Sequence, residues 1–437
     1  MRLAWILFAA QVASAAGPIE LSLKRAVEVA VSPEGNTKIQ LSGEALKQAQ
    51  SRSAQARAAL LPDLEASVGE RDQTANLAAM GIKIVVPIPN FQFPTFVGPF
   101  TTMDARATVT QSVFDFSSIR RFQASKVGVS AARSDVDSTE EQVAAQVARA
   151  YLAAVRADAD VGSAQSDVTL AEAVLKQAEN QKAAGTGTGI EITRAKVQLA
   201  NDRQRLLVAG NQRTSARLQL LRVMGLRLDT ELELTDKLAY TPVDAVTIEQ
   251  ARAQALKERP DLKAQQEREA NARMAASATK MERLPSLAAF GDYGSIGTGF
   301  DSALPTRTYG ISLRVPVFDG GRRDARRAES ASQYRSEKVR TNDLKEQIEL
   351  DVRLALDGLE SAEEQVKVAK EGLELSENEL AQARRRVDAG VAISVEVTDA
   401  QTRLERARDN QTAALYSYNV ARIDLAQSMG KVRSMVQ

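Results

Sequence analysis

Two long stretches of the chain place apolar residues at alternating steps of three and four, the heptad pattern of coiled helices. In the first, one stripe position holds Val143, Ala150, Ala157, Ala164, Ala171 and Ala178, and the other holds Val147, Ala154, Val161, Val168 and Leu175. In the second, Ile348, Ala355, Ala362, Ala369, Ser376 and Ala383 alternate with Val352, Leu359, Val366, Leu373, Leu380 and Val387. A 3.5-residue period sustained this long predicts left-handed supercoiling, and the alanines let neighbouring helices approach closely. Helices over 116–184 and 320–389 would each reach roughly 100 Å at 1.5 Å per residue. Shorter helices over 190–225 and 395–430 carry matching stripes, among them Leu199, Leu206 and Leu220, then Leu404, Ala407 and Leu425.

A different pattern, with a period of two, marks strands. From Thr102 to Val113 the odd positions Met103, Ala105, Ala107, Val109 and Val113 are apolar, and the even ones are polar. From Thr308 to Val317, Tyr309, Ile311, Leu313, Val315 and Val317 share one face. Such strands suit a barrel with lipid outside and water within, although a half-buried soluble sheet gives the same alternation. Partner strands are expected after Pro62 and Pro285, giving strand-loop-strand segments at about 63–115 and 286–318.

The chain repeats itself. Shared helical stripe positions lie 205 residues apart, as do Met224-Gly225 and Met429-Gly430. VFDF at Val113 answers VFDG at Val317. The predicted organisation is a leader over 1–15, a first repeat over 16–230 and a second over 231–437. Each repeat reads helix, strand-loop-strand, long helix, tight turn, helix. The turns fall at 185–189 and 390–394, a linker spans 226–246, and one helix is expected over 247–284. The first half carries 19 extra residues, a Pro- and Phe-rich stretch near 80–100 read as an outer-surface loop whose Phe91, Phe93, Phe96 and Phe100 pack either on a barrel or lipid interface or, equally, against one another within the loop.

Composition narrows the chemistry. Lys plus Arg number 57 against 56 Asp plus Glu, a net charge of +1, so there is no broad positive field for nucleic acid. The chain contains no His and no Cys, which removes imidazole bases, thiolate nucleophiles and thiolate or imidazole metal sites. No catalytic constellation, cofactor motif or metal site emerges; AGTGTG at Ala184 follows no strand and lacks the Gly-Lys-Ser/Thr of a phosphate loop. Arg2, the apolar run Leu3 to Ala10 and Ala13-Ser14-Ala15 read as a secretory signal peptide.

These features together resemble the TolC-like outer-membrane efflux protein family. The resemblance covers the whole chain after the leader and rests on the duplicated plan, VFDGGRRDARRAES at Val317, ERPDLKAQQ at Glu258 and AGVAISVEVTDAQTRL at Ala389. It implies a mixed α+β membrane protein, mainly α: a homotrimer whose four strands per chain build a 12-stranded outer-membrane β-barrel, continuous with a long antiparallel α-helical coiled-coil periplasmic tunnel. It further implies a periplasmic adaptor protein, an inner-membrane transporter and outer-membrane lipid as partners, with passive export of small molecules or proteins. The tip turns, with Gly185, Gly187, Gly189, Glu191, Gly390 and Ala392, would meet the adaptor. Glu396 and Asp399 match an acidic ring at the tunnel entrance, but as first-turn acids after Ser394 they equally suit stabilisation of a helix N-terminus. Strand-helix transitions fall at Pro62, Asp115, Pro285, Asp319, Gly320 and Gly321. This sequence departs from the family pattern in having Ala392 where an Arg is common, and Arg194 as the first-half counterpart of Asp399. A periplasmic coiled-coil scaffold outside the membrane is the competing reading; it explains the heptads but not the strands.

Overall fold

The computed structural model describes residues 19–82, 84, 87–88, 94–185, 187–244, 246–389, 391–392 and 394–436. The leader, Phe91, Phe93 and Gly390 lie outside the described residues. The chain divides into two units, one of Met1–Leu46, Ala132–Ala264 and Thr341–Gln437, the other of Lys47–Ala131 and Gln265–Arg340.

In the first unit, β1 (Ile19–Leu21) pairs in parallel with β4 (Leu232–Leu234). The expected linker over 226–246 therefore contains a strand, one too short to leave an alternation signal. Around this pair lie α1 (Leu23–Val31), part of α3 (Phe116–Ala183) and α4 (Gly189–Met224). Val27, Val143, Val147, Leu220 and Met224 form the core there with the fully buried Tyr151. The Tyr151 hydroxyl sits 2.8 Å from the Leu21 carbonyl and 2.9 Å from Asp236, whose carboxylate also accepts the Leu23 N–H at 2.7 Å. Burial first, then Asp236, pushes this phenol up, so it remains a donor.

The helix expected over 247–284 is broken. It forms α5 (Ile248–Glu258) and α6 (Pro260–Met281), with Arg259 between them at φ −64°, ψ 120°. Pro260 has no N–H to give and forces the preceding residue out of helical geometry. Arg259 then grips Asp261 through two bonds of 3.1 and 2.7 Å, and Asp351 of α7 (Arg322–Asp388) at 2.9 Å. It also reaches the Ser428 carbonyl, at the end of α8 (Ser394–Ser428), at 3.4 Å. The helix expected to 430 stops there, and a short α9 (Val432–Val436) follows, with Glu141 accepting the Val432 N–H at 2.9 Å. The first helix of the first repeat is likewise two, α1 and α2 (Thr37–Ala58), separated by the segment holding Pro33.

The second unit carries a four-stranded antiparallel sheet in the order β2 (Asp63–Asn76), β3 (Phe96–Phe114), β5 (Ser286–Gly297), β6 (Leu304–Arg314). Its centre joins the two halves of the sequence, since β3 pairs with β5, Met103 opposite Gly297 and Thr110 opposite Phe290. Alternation and register place Leu64, Val68, Ala105, Val109, Ile311 and Leu313 on one face. The other face carries Glu65, Asp104, Arg106, Thr108, Asp292 and Thr306, with Phe100 and Phe290 as aromatic exceptions. There Arg106 spans three strands, bonding Asp104 at 3.2 Å, Asp292, and Thr306 at 3.3 Å.

Three expectations about these strands change. β6 ends at Arg314, because Pro316 cannot donate to a ladder, so Val315 and Val317 lie beyond it. Val113 falls at a register shift between Ser112 and Phe114. The Pro- and Phe-rich loop ends earlier than residue 100, since β3 begins at Phe96; Pro99 fits because the register shift opposite Gln73 and Ala75 leaves it outside the ladder.

At the strand-helix transitions, Pro62 and Pro285 immediately precede β2 and β5. Asp115 accepts the Ser117 N–H at 2.9 Å and the Ser118 hydroxyl at 2.6 Å, capping α3. Asp319 accepts the Arg323 N–H at 3.2 Å, while Gly320 and Gly321 adopt φ of 68° and 85° just before α7.

Candidate functional site

The turn between α3 and α4 is built by glycine. Gly185 adopts φ 79° and donates to the Lys182 carbonyl at 3.0 Å, ending α3 in the left-handed conformation that side chains resist. Gly187 donates to Gln181 at 3.0 Å, and a Cβ there would stand 2.9 Å from the Lys182 nitrogen. Gly189 opens α4. Glu191, three residues past the Thr188 cap, accepts the Thr188 N–H at 2.7 Å and so fixes the start of its own helix.

In the second turn, Val391 donates to Arg386 at 3.0 Å and Ala392 is half-buried. Glu396 and Asp399 are both exposed in the first two turns of α8. Glu396 lies 3.3 Å from Arg386 of α7, an ion pair across the turn. Both partners are well exposed, so the pair contributes little to stability. The basic run Arg384-Arg385-Arg386 at the end of α7 was its signal in the sequence. Asp399, Glu191 and Arg194 line one cavity of about 380 Å³, whose walls include Val174, Val387 and Val397. Glu396 is not among its lining residues. The two acids are therefore differently placed: one pairs across the turn, the other faces a space shared with the first hairpin.

Farther along the same helices lies a charged group that sequence reasoning missed. Asp202, Glu405 and Asp167 are buried, with Arg205 bridging Asp202 at 3.0 Å and Glu405, and Arg408 reaching Asp167 at 3.2 Å. Gln198 donates to Asp202 at 3.1 Å. The sign was legible, since Asp202 occupies the heptad position between Leu199 and Leu206 where an apolar residue belongs. Burial raises the pKa of Glu405, opposed by Arg205, and burial raises Asp167, opposed by Arg408. A carboxylate whose folded pKa is raised contributes stability that is full below its ordinary value, about 4, and is lost as pH rises through the folded value. The melting difference between Glu405→Gln and the parent is accordingly expected to widen in favour of the variant as pH rises from about 4 through the raised folded value, and then to level off. Circular dichroism melts across that range check this; a constant difference refutes it.

Among the described residues, no helix is long and apolar enough to cross a membrane and no group of acidic side chains is arranged to hold a metal ion. The sequence profile described as "Outer membrane efflux protein" matches residues 34–226 and 251–431. The chain belongs to the outer membrane efflux protein family. It is 24% identical over 340 residues to the pyoverdine export outer membrane protein OpmQ of Pseudomonas putida, covering 76% of this chain and 71% of that protein. It is 21% identical over 322 residues to the alkaline protease secretion protein AprF of Pseudomonas aeruginosa, covering 72% and 66% respectively. The fold is similar to that of the Campylobacter jejuni CmeC outer membrane channel, with a TM-score of 0.80 at 16% identity over 93% of this chain and 85% of that one. As an efflux family member, the protein is a transport conduit of the outer membrane that extends into the periplasm, and not an enzyme. The scaffold outside the membrane gives way to that assignment.

Proposed function

We propose that three copies assemble into one passive exit duct, their four strands each closing a twelve-stranded barrel in the outer membrane. The long antiparallel helices continue it as a periplasmic tunnel, and the sequence repeat supplies near-equivalent wall units. The observation that carries this reading is the amphipathic sheet with two open edges, β2 and β6. Backbone groups left unpaired in hydrocarbon cost several kcal/mol each, so an open sheet cannot remain alone in lipid. Bacterial barrels have eight strands or more, which one chain does not supply.

In this reading an inner-membrane transporter delivers cargo and a periplasmic adaptor joins it to the tip turns, with Gly185, Gly187, Gly189, Glu191, Gly390 and Ala392 at the junction. The relatives' names point to both a small molecule and a protein as cargo, and a water-filled duct suits either. Glu396 and Asp399 form the acidic entrance, with Arg386 moderating Glu396. The duct is expected to be cation-selective in planar bilayers, and Glu396→Gln combined with Asp399→Asn to reduce that preference. Unchanged selectivity in the double variant would remove the acidic ring from the proposal.

A further inference from the structure

The two free edges of the sheet carry opposite charge. β2 holds Asp63, Glu65, Glu70 and Asp72 against the single cation Arg71, whereas β6 holds Arg307 and Arg314 and no acid. The residues of β2 are almost all exposed, as are both arginines of β6. Among the described residues, Asp63, Glu65, Glu70, Arg307 and Arg314 have no ion-pair partner within the chain. Asp72 accepts only the Thr101 hydroxyl, at 2.6 Å.

Their placement along the strands matches as well as their sign. Asp63 and Glu65 lie at the α2 end of β2 on the polar face, and Arg314 lies at the α7 end of β6 on the same face. Glu70 and Asp72 lie toward the opposite end of β2 on the apolar face, where Arg307 also lies toward the corresponding end of β6. β2 leads away from a helix and β6 leads back to one, so the two edges meet antiparallel when copies stand side by side. A slip of one residue would turn every side chain to the wrong face. That parity leaves registers two residues apart. One sets Arg314 opposite Asp63, Arg307 opposite Glu70, Tyr309 opposite Val68 and Leu313 opposite Leu64. The next sets Arg314 opposite Glu65 and Arg307 opposite Asp72.

We infer that β6 of one copy joins β2 of the next through a charge-matched joint, in which Arg314 lies against Asp63 and Glu65, and Arg307 against Glu70 and Asp72. The inference rests on the trimeric barrel proposed above, which already brings β6 to β2, and adds to it the register of that joint and the charges that reject a mismatched pairing. Opposite charges across a strand pair stabilise it, and like charges facing one another destabilise it. A second copy approaching β2 to β2, or β6 to β6, sets like charge against like. The only pairing without that conflict is β6 to β2, which propagates around a ring until it closes.

Cysteine pairs test the joint without background, since the chain has none. Gly69→Cys with Thr308→Cys reads the first register, and Ser67→Cys with Ser312→Cys reads the second. Oxidation of the full-length protein in outer-membrane vesicles is expected to link copies covalently in one of the two. A wild-type protein that is trimeric by native mass in detergent, yet links in neither, overturns the joint and leaves the duct standing. A monomeric wild-type protein overturns both. Separately, Arg307→Glu with Arg314→Glu is expected to abolish the trimer measured by native mass in detergent, and adding Glu65→Arg with Glu70→Arg to restore it. A fourfold variant as defective as the double one overturns the charge matching.

Discussion

Arg259→Ala is expected to destabilise the helical unit by about 2–3 kcal/mol, less than the loss of one partner from a fully buried ion pair because Asp261 and Asp351 remain 29% and 33% exposed. Arg259 is only 13% exposed, and its guanidinium is shared by Asp261, Asp351 and the Ser428 carbonyl. Truncation leaves the Asp261 and Asp351 carboxylates without the cation they share. It also frees the break between α5 and α6 from α7 and from the end of α8. Arg259→Lys keeps the charge but loses the two-pronged grip on Asp261, so an intermediate loss is expected. Thermal unfolding followed at the helical signal checks both, and a melting point within error of the parent for the alanine variant would show the network to be dispensable.

The second large effect is expected in the sheet. Ile311 is 72% exposed, a position at which a lysine would ordinarily be harmless on a soluble protein. On the barrel reading it faces lipid near the middle of the apolar band, where Lys costs about 2–4 kcal/mol per chain. Ile311→Lys is therefore expected to deplete the protein from the outer-membrane fraction, while Ser312→Lys, on the polar face, is tolerated. Equal membrane yields for the two variants would reverse the assignment of faces.

Periodic features were legible because they repeat. Val143, Val147, Ala154, Ile348 and Val352, chosen by spacing alone, are all fully buried. The apolar faces of β3 and β6 followed from alternation for the same reason. What escaped were features that occur once. Three residues are too few for β4 to show a period, and its pairing with β1 depends on a partner far away in sequence. The break at Arg259 was written in Pro260, but the surrounding helical composition masked it. Pro99 misled in the opposite direction, since a register shift shelters it within β3. The buried Asp202, Glu405 and Asp167 group was hidden because Asp202 alone interrupts a heptad stripe, while its companions come from other helices. At the turns, Glu191 and Asp399 meet one cavity while Glu396 turns to Arg386, a distinction that spacing does not encode.

The pairing of β3 with β5 dictates an order of assembly. As the chain emerges, β2 and β3 can form their hairpin early, but Met103 and its neighbours must await Gly297, with the whole of α3, α4, α5 and α6 intervening. During that interval a long strand edge stands bare, a condition that invites aggregation. A fragment truncated before Ser286 would remain in that state indefinitely, so neither half of the sequence completes its strands without the other.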